Sequence, residues 1–127
     1  MKARGFTILE LLFLTVVLIA IGALFWTQKN NIEVAARDDK RKIAINAMYY
    51  SLEEIFHKQS GYYPMELTSE TLPSVDKKLF TDPRGVQLGE GGSDYRYEPS
   101  NCTDDKCQSY TLRANLENEA DYVKTNR

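Results

Sequence analysis

The sequence predicts an α+β fold in which a long N-terminal helix, half membrane-spanning and half amphipathic, packs on a small antiparallel β-sheet. Two observations predict it: an apolar stretch near the N-terminus that continues into an amphipathic segment, and a C-terminal region where apolar and polar residues alternate.

The chain has 127 residues, with 16 Lys and Arg against 18 Asp and Glu. This length allows one small domain, and the slight acidity argues against direct nucleic-acid binding.

The first element is an apolar segment from Phe6 to Thr27, which contains one charged residue, Glu10, and no proline. As a helix its roughly 22 residues span about 33 Å, enough to cross a hydrocarbon core of about 30 Å. A short basic leader, residues 1–5, precedes it. We therefore predict a membrane-spanning helix half over residues 6–27.

Three simpler interpretations of this segment compete, and one of them, a buried helix of a soluble protein, does not fit because nothing else in the chain could cover it. A cleaved secretory signal has an apolar region of about 7–15 residues followed by small residues, whereas this segment is longer and ends in Leu24, Phe25, Trp26 and Thr27. An inert single-span anchor fits the length and places Trp26 at the membrane interface. An inert anchor does not explain the presence of Glu10. Placing a carboxylate in a lipid-facing helix costs on the order of 2.5–3.5 kcal/mol of insertion free energy, and an anchor gains nothing from it.

The residues around Glu10 form a motif. The run GFTILEL at residues 5–11, after a basic leader and before an apolar helix, closely resembles the class III signal of type IV pilins and type II secretion pseudopilins. In that family a prepilin peptidase cleaves after the glycine and methylates the new N-terminal residue. The resemblance implies cleavage between Gly5 and Phe6, N-methylation of Phe6 and an assembly role for Glu10. The usual order of the aliphatic pair is reversed here, to Ile8 and Leu9.

Cleavage turns the Phe6 amine into a cation about one helical turn from Glu10. Pairing with Glu10 of a neighbouring subunit neutralises both charges, and stranding one member of a buried pair costs about 3–5 kcal/mol. We expect this pair to set the register of a filament. The resemblance also implies the partners: other copies of the chain in a helical homopolymer, prepilin peptidase, a membrane platform protein and an assembly ATPase.

The predicted location rests on this resemblance and on the two cysteines. Lys2 and Arg4 lie on one side of the apolar segment, but Lys29 and the basic residues within 37–42 lie on the other. Charge counting is therefore ambiguous. We expect a single-pass protein of the cytoplasmic membrane before assembly and an extracytoplasmic or cell-surface filament afterwards.

Residues 28–60 are predicted to continue the helix as an amphipathic half. No Pro or Gly interrupts them, and apolar residues recur at helical spacing, at Ile45, Met48, Leu52, Ile55 and Phe56. One continuous helix to about Gln59 is the simplest interpretation, and two helices with a break near residues 28–31 are the alternative. Glu53 and Glu54 are interpreted as helix-surface charges.

Residues 61–127 are predicted to form a head of loops and strands. Gly61 and Pro64 end the helix. Alternation predicts strands at residues 94–98 and 109–116, with shorter strands near 86–88 and 122–124. The second of these strands directs inward the side chains of Tyr110, Leu112, Ala114 and Leu116. The resulting three or four antiparallel strands are expected to pack on the amphipathic helix half.

The chemistry-bearing residues of the head are few. Cys102 and Cys107 predict a disulfide in an exported domain. Zinc is excluded because His57 is the one histidine and zinc needs about four ligands. A calcium site is an open alternative on four acidic residues, although their spacing matches no calcium loop: Asp94, Glu98, Asp104 and Asp105. We predict no metal, no cofactor and no catalytic constellation, and hence no enzyme.

The resemblance implies a structural subunit of a type IV pilus or pseudopilus, processed by prepilin peptidase and assembled through its N-terminal helix. The alternative is a single-span membrane protein whose exported head binds a ligand or partner without polymerising.

Overall fold

The structure is a computed structural model that describes residues 5–127. Within them a long helical stretch is followed by loops and an antiparallel four-stranded sheet, so the predicted α+β class is confirmed. The chain divides into two compact units, one ending at Val34 and one spanning Ala35–Arg127. Of the predicted leader, residues 1–4 lie outside the described part.

Helix α1 spans Ile8–Ser51 and continues through a π-helical turn, Leu52–Phe56, into a short helix α2, His57–Ser60. The alternative of a break at residues 28–31 is wrong, because these residues are helical. Gly61 ends the helix in the left-handed conformation, with φ of 76°, and its N–H donates to the His57 carbonyl over 2.8 Å. Glycine adopts this conformation at little cost, which explains the predicted stop.

The π-helical turn changes which side chains face the sheet. The His57 N–H donates to the Leu52 carbonyl, five residues back, so this turn holds one residue more than an α-helical turn. Leu52 is fully buried and Glu53 is 6% exposed, whereas Ile55 and Phe56 are half-buried. The predicted apolar stripe therefore holds as far as Leu52 and shifts within the turn.

The four strands of the described chain are β1, Tyr63–Pro64; β2, Tyr95–Thr103; β3, Lys106–Ala114; and β4, Tyr122–Thr125. Strand β3 is central: β2 pairs along one edge, and β1 and β4 pair with opposite ends of the other edge. The predicted strand near residues 86–88 is wrong, since Gln87 forms only an isolated bridge with Thr81.

The turn between β2 and β3 consists of Asp104 and Asp105, with φ of 50° and 64°. Positive φ at both central residues is the signature of a type I′ hairpin turn, whose twist matches that of the strands. The strand limits therefore differ from those predicted, because β2 extends to Thr103 and β3 begins at Lys106.

The core lies in the second unit, between the helix and one face of the sheet. Ile45 and Met48 of α1 are fully buried, as is Leu112 of β3. The loops supply further buried apolar side chains: Leu67, Leu72, Val75 and Phe80. Tyr110, Leu112 and Ala114 point inward as predicted, whereas Leu116 lies beyond the end of β3 and is half-buried.

Candidate functional site

The apolar half of α1, in the first unit, has every side chain exposed. Its large apolar residues range from 36% exposed at Val17 to 87% at Ile8. Among the described residues this is the one helix long and apolar enough to cross a membrane by length and composition. The segment therefore presents apolar surface all around its axis, as a membrane-spanning helix does.

The start of this helix is organised by Thr7 and Glu10. The Glu10 N–H donates to Thr7 Oγ1 over 3.3 Å, and the Thr7 N–H and hydroxyl each donate to Glu10 Oε2 over 3.4 Å. With Thr7 preceding the first helical residue, Ile8, this reciprocal arrangement is a capping box. Glu10 thus has a role within its own chain that the sequence analysis missed. The signal for it was threonine three residues before glutamate.

The predicted cleavage bond lies in non-helical chain just before this cap. Gly5 and Phe6 precede α1, and Phe6 is 79% exposed. A methyl group added at Gly5 meets nothing within 4 Å. The structure therefore brings Gly5, Phe6 and Glu10 together at one end of the apolar helix.

A buried ion-pair network joins helix and loops in the second unit. Arg41, 2% exposed, donates to Asp38 over 2.9 Å, to Asp94 over 2.9 Å and to Glu117 over 2.8 Å. Asp38, also 2% exposed, accepts the backbone N–H groups of Glu117 and Asn118 over 2.9 and 3.1 Å. One guanidinium therefore links α1 to the residue before β2 and to the loop after β3.

A second arginine and a second buried carboxylate extend this network. Asp82, 4% exposed, accepts the backbone N–H groups of Arg84, Val86 and Asp94 over 2.9, 2.9 and 2.8 Å. The Arg84 side chain in turn reaches Asp94 Oδ1 over 2.8 Å. Asp94 therefore lies between two guanidinium groups, those of Arg41 and Arg84.

The electrostatics of the network are those of a fixed ion cluster. Hydrogen bonds from Arg37 and Arg41 lower the pKa of Glu117 to about 2. Burial alone raises the pKa of Asp38, but the backbone N–H groups and Arg41 outweigh it, so its pKa is lowered. Burial alone lowers the pKa of Arg41, but its hydrogen bonds to Glu117 and Asp94 outweigh burial, so its pKa is raised. These three groups are charged at neutral pH.

Glu53 lies at the centre of an aromatic cluster. It accepts hydrogen bonds from the hydroxyls of Tyr110, over 2.8 Å, and Tyr63, over 3.1 Å. The Tyr63 ring stacks on His57 with centroids 4.6 Å apart and meets Tyr110 edge-on. Burial and the Glu53 carboxylate raise the pKa of Tyr63 to about 12 and raise that of Tyr110 as well. The interpretation of Glu53 as a surface charge is therefore wrong.

Cys102 and Cys107 form a disulfide between facing residues of β2 and β3. Cys107 is fully buried, and its sulfur lies 3.3 Å from that of Met65. Because the bond joins strands that are already paired, it stiffens the hairpin tip and does not tie distant parts together.

The four acidic residues weighed for calcium do not converge. Asp94 immediately precedes β2, whereas Asp104 and Asp105 follow its far end, and Asp94 is engaged by arginine. Glu98 lies on β2 and pairs with Arg113. Across residues 5–127 no group of three or more His, Cys, Asp or Glu is placed to hold a metal ion.

Comparisons of the chain with protein-family models, curated proteins and solved structures found no match. The resemblance at residues 5–11 therefore remains a prediction from the sequence. The feature with the most specific geometry beside that motif is the Thr7–Glu10 cap.

No role for Asp38 and Arg41 was predicted from the sequence. A signal for them existed, because positions 38, 41, 45, 48 and 52 recur at spacings of three and four. The two charged residues therefore extend the apolar stripe onto the face that packs against the head. Charges at core-facing positions of an amphipathic helix predict buried partners, since such groups are almost never fully buried unless paired.

Proposed function

We propose that this chain is a structural subunit that assembles through its N-terminal helix into a filament of the type IV pilus or pseudopilus class. The observation that carries the proposal is the GFTILEL run at residues 5–11, placed at the start of a helix whose N-terminal half has all its apolar side chains exposed. Such a helix is stable in lipid or against identical helices, and not in water.

In this proposal the unassembled subunit resides in the cytoplasmic membrane, with the apolar half of α1 as its single span. Prepilin peptidase removes residues 1–5 and methylates Phe6. The apolar helix halves of successive subunits then pack together, and the Phe6 amine of one subunit pairs with Glu10 of another. A contact that uses different surfaces on its two sides yields a filament when its rotation does not close into a ring, and the proposal requires such an open contact.

Extraction of an apolar helix from lipid requires external energy, and the sequence has no phosphate-binding glycine loop followed by lysine. The proposal therefore includes a membrane platform protein and a cytoplasmic ATPase as partners. The subunit itself has a structural role and no catalytic one.

Intact mass spectrometry of the chain extracted from producing cells tests the proposal. The expected species begins at methylated Phe6 and lacks residues 1–5. The same preparation from cells without the peptidase is the control, and it retains the leader. A chain that keeps Met1 in cells that hold the active peptidase contradicts the proposal.

A second candidate is a single-span anchor whose head binds a partner without polymerising. The Thr7–Glu10 capping box favours it, because it gives the carboxylate a use inside its own chain. Retention of the leader, together with the absence of filaments in electron micrographs, supports this candidate over the first.

A further inference from the structure

The outer edge of β2 is unpaired. Within the described residues β2 pairs with β3 alone. A cleft of about 710 Å³ lies beside residues 95–98 of β2, and no residue of β3 lines it, so it follows the edge turned away from β3. The space next to this edge therefore holds no strand of the described chain, and residues 65–68 and 87–93 form the other wall of the cleft.

Two hydrogen bonds fix which backbone groups point to that edge. The Asn115 N–H donates to the Asp94 carbonyl over 2.9 Å, so the carbonyl just before β2 points toward the β3 side. The Tyr110 N–H instead donates to the side chain of Asn126 over 3.3 Å, away from β2. Because bonded and non-bonded pairs alternate, Tyr97 directs both its N–H and its carbonyl outward.

The side chains next to Tyr97 carry opposite charges on the exposed face of the sheet. Glu98 pairs with Arg113 over 2.6 Å. Arg96 faces Arg113 directly across the ladder, and it forms no ion pair with any residue of the described chain. An arginine beside a second arginine at an open strand edge is a site for a carboxylate on an incoming strand.

We propose that two copies of this chain pair along the outer edges of β2 as antiparallel strands, related by a two-fold axis at Tyr97. Each Tyr97 exchanges both backbone hydrogen bonds with the Tyr97 of the second copy. The antiparallel register then sets Arg96 opposite Glu98 of the second copy, and this occurs twice. Opposite charges directly across two strands stabilise a sheet.

Pro99 limits the length of this contact. It occupies the next outward-pointing position of β2, and proline has no N–H to donate. The intermolecular ladder therefore ends there on both sides of the axis. The same surface is used on both copies, so the contact closes as a dimer. It uses the head alone and does not depend on the proposed filament.

Charge exchange tests the contact on the full chain in detergent micelles. Sedimentation equilibrium over a concentration series gives the dimer dissociation constant of the wild type, Arg96→Glu, Glu98→Arg and the double variant.

Each single change makes both facing pairs like-charged and is expected to weaken the dimer on the order of tenfold. The double variant reverses both pairs and is expected to restore the constant to within about threefold. Lys77→Glu and Glu70→Arg, with the same charge changes at exposed positions outside β2, are the controls.

Amide hydrogen exchange of the wild type gives a readout that needs no variant. The Tyr97 amide is expected to exchange more slowly as concentration rises, whereas the inward-pointing Glu98 amide is protected at every concentration. A chain that shows no concentration-dependent protection of Tyr97 overturns the proposal. If the double variant dimerises as weakly as the single variants, and its thermal unfolding midpoint shows that it is still folded, the two-fold register is overturned. Association that is equal in all variants assigns the contact to another surface, such as the N-terminal helix.

Discussion

The Arg41 guanidinium donates to Asp94 over 2.9 Å, and both residues are buried. Arg41 lies on α1 and Asp94 immediately precedes β2, so the helix is held to the sheet by charge as well as by apolar packing. Buried ions are tolerated when every one of them is paired. The network is therefore sensitive to the loss of any single member.

Replacement of Arg41 by methionine, a residue of similar length without charge, leaves Asp38 with backbone N–H donors and no cation, and leaves Asp94 with Arg84 alone. We expect this variant to lose about 3–5 kcal/mol of unfolding free energy, because the Asp38 carboxylate remains buried without a cation. Urea denaturation followed by circular dichroism measures the loss. Lys42→Met, which breaks an exposed ion pair with Glu119 on the same helix, is the control and should change little. Equal effects of the two substitutions contradict this account.

Tyr110→Phe removes a hydroxyl that donates to the buried Glu53 carboxylate. Hydrogen bonds to charged groups contribute about 1.5–3 kcal/mol, against about 0.5–1.5 kcal/mol for neutral ones. Tyr97→Phe is the matched control, because its hydroxyl donates over 2.7 Å to the neutral carbonyl of Pro64. We expect the first substitution to cost about twice as much as the second in urea unfolding. A larger loss for Tyr97→Phe is the contrary result.

Acid is expected to destabilise the head through Glu117, Asp38 and Asp82. Their folded-state pKa values are lowered, so the unfolded chain binds protons at higher pH than the folded chain does. The Glu117 contribution is complete above its unfolded pKa of 4.5 and is lost as pH falls through about 2. Unfolding free energy measured across this range should decline, and Glu117→Gln should reduce the slope. Stability that rises as pH falls through the range contradicts the assignment.

Glu10→Gln separates the two roles of Glu10. Glutamine at this position still completes a capping box, but it carries no charge. If Glu10 pairs with the Phe6 amine of a neighbour, both Glu10→Gln and Glu10→Ala insert into the membrane and fail to form filaments, since a stranded partner costs about 3–5 kcal/mol. Thr7→Ala weakens the cap, keeps the charge and should assemble. Electron micrographs of membrane fractions decide the matter, and normal filaments from Glu10→Gln exclude the intersubunit pair.

The disulfide is expected to contribute modestly. Closing the short loop between Cys102 and Cys107 restricts the unfolded chain by about 2 kcal/mol. The double variant Cys102→Ala, Cys107→Ala should lose no more than this in urea, and reductant should have no effect on it. A complete loss of folding would show that the bond does more than stiffen the hairpin tip.

The long helix and its end were predictable because their signals are local. Twenty or so apolar residues, a periodic stripe and Gly61 act within a few turns of the chain. The strand β1 was not predictable in this way, because Tyr63 and Pro64 become a strand only by pairing with Lys106 and Cys107. A strand of two residues is too short to show an alternation of apolar and polar side chains.

The π-helical turn also lay beyond sequence reasoning. Helical periodicity places Glu53 beside the apolar stripe, on the surface, and only the wider turn together with two tyrosine hydroxyls makes its burial favourable. Asp38 and Arg41 differ from Glu53 in this respect, because their spacing from the apolar stripe already places them on the core-facing side of the helix. Their partners, Asp94 and Glu117, come from loops more than fifty residues away, and nothing local connects them.

The extra residue within Leu52–Phe56 has an evolutionary consequence. A homologous chain one residue shorter at this point would form an uninterrupted α-helix and keep the same core contacts on the N-terminal side. Alignments of distant homologues should therefore tolerate a single-residue gap here. Whether such shorter chains keep the aromatic cluster would show whether the π-helical turn was gained or lost during divergence.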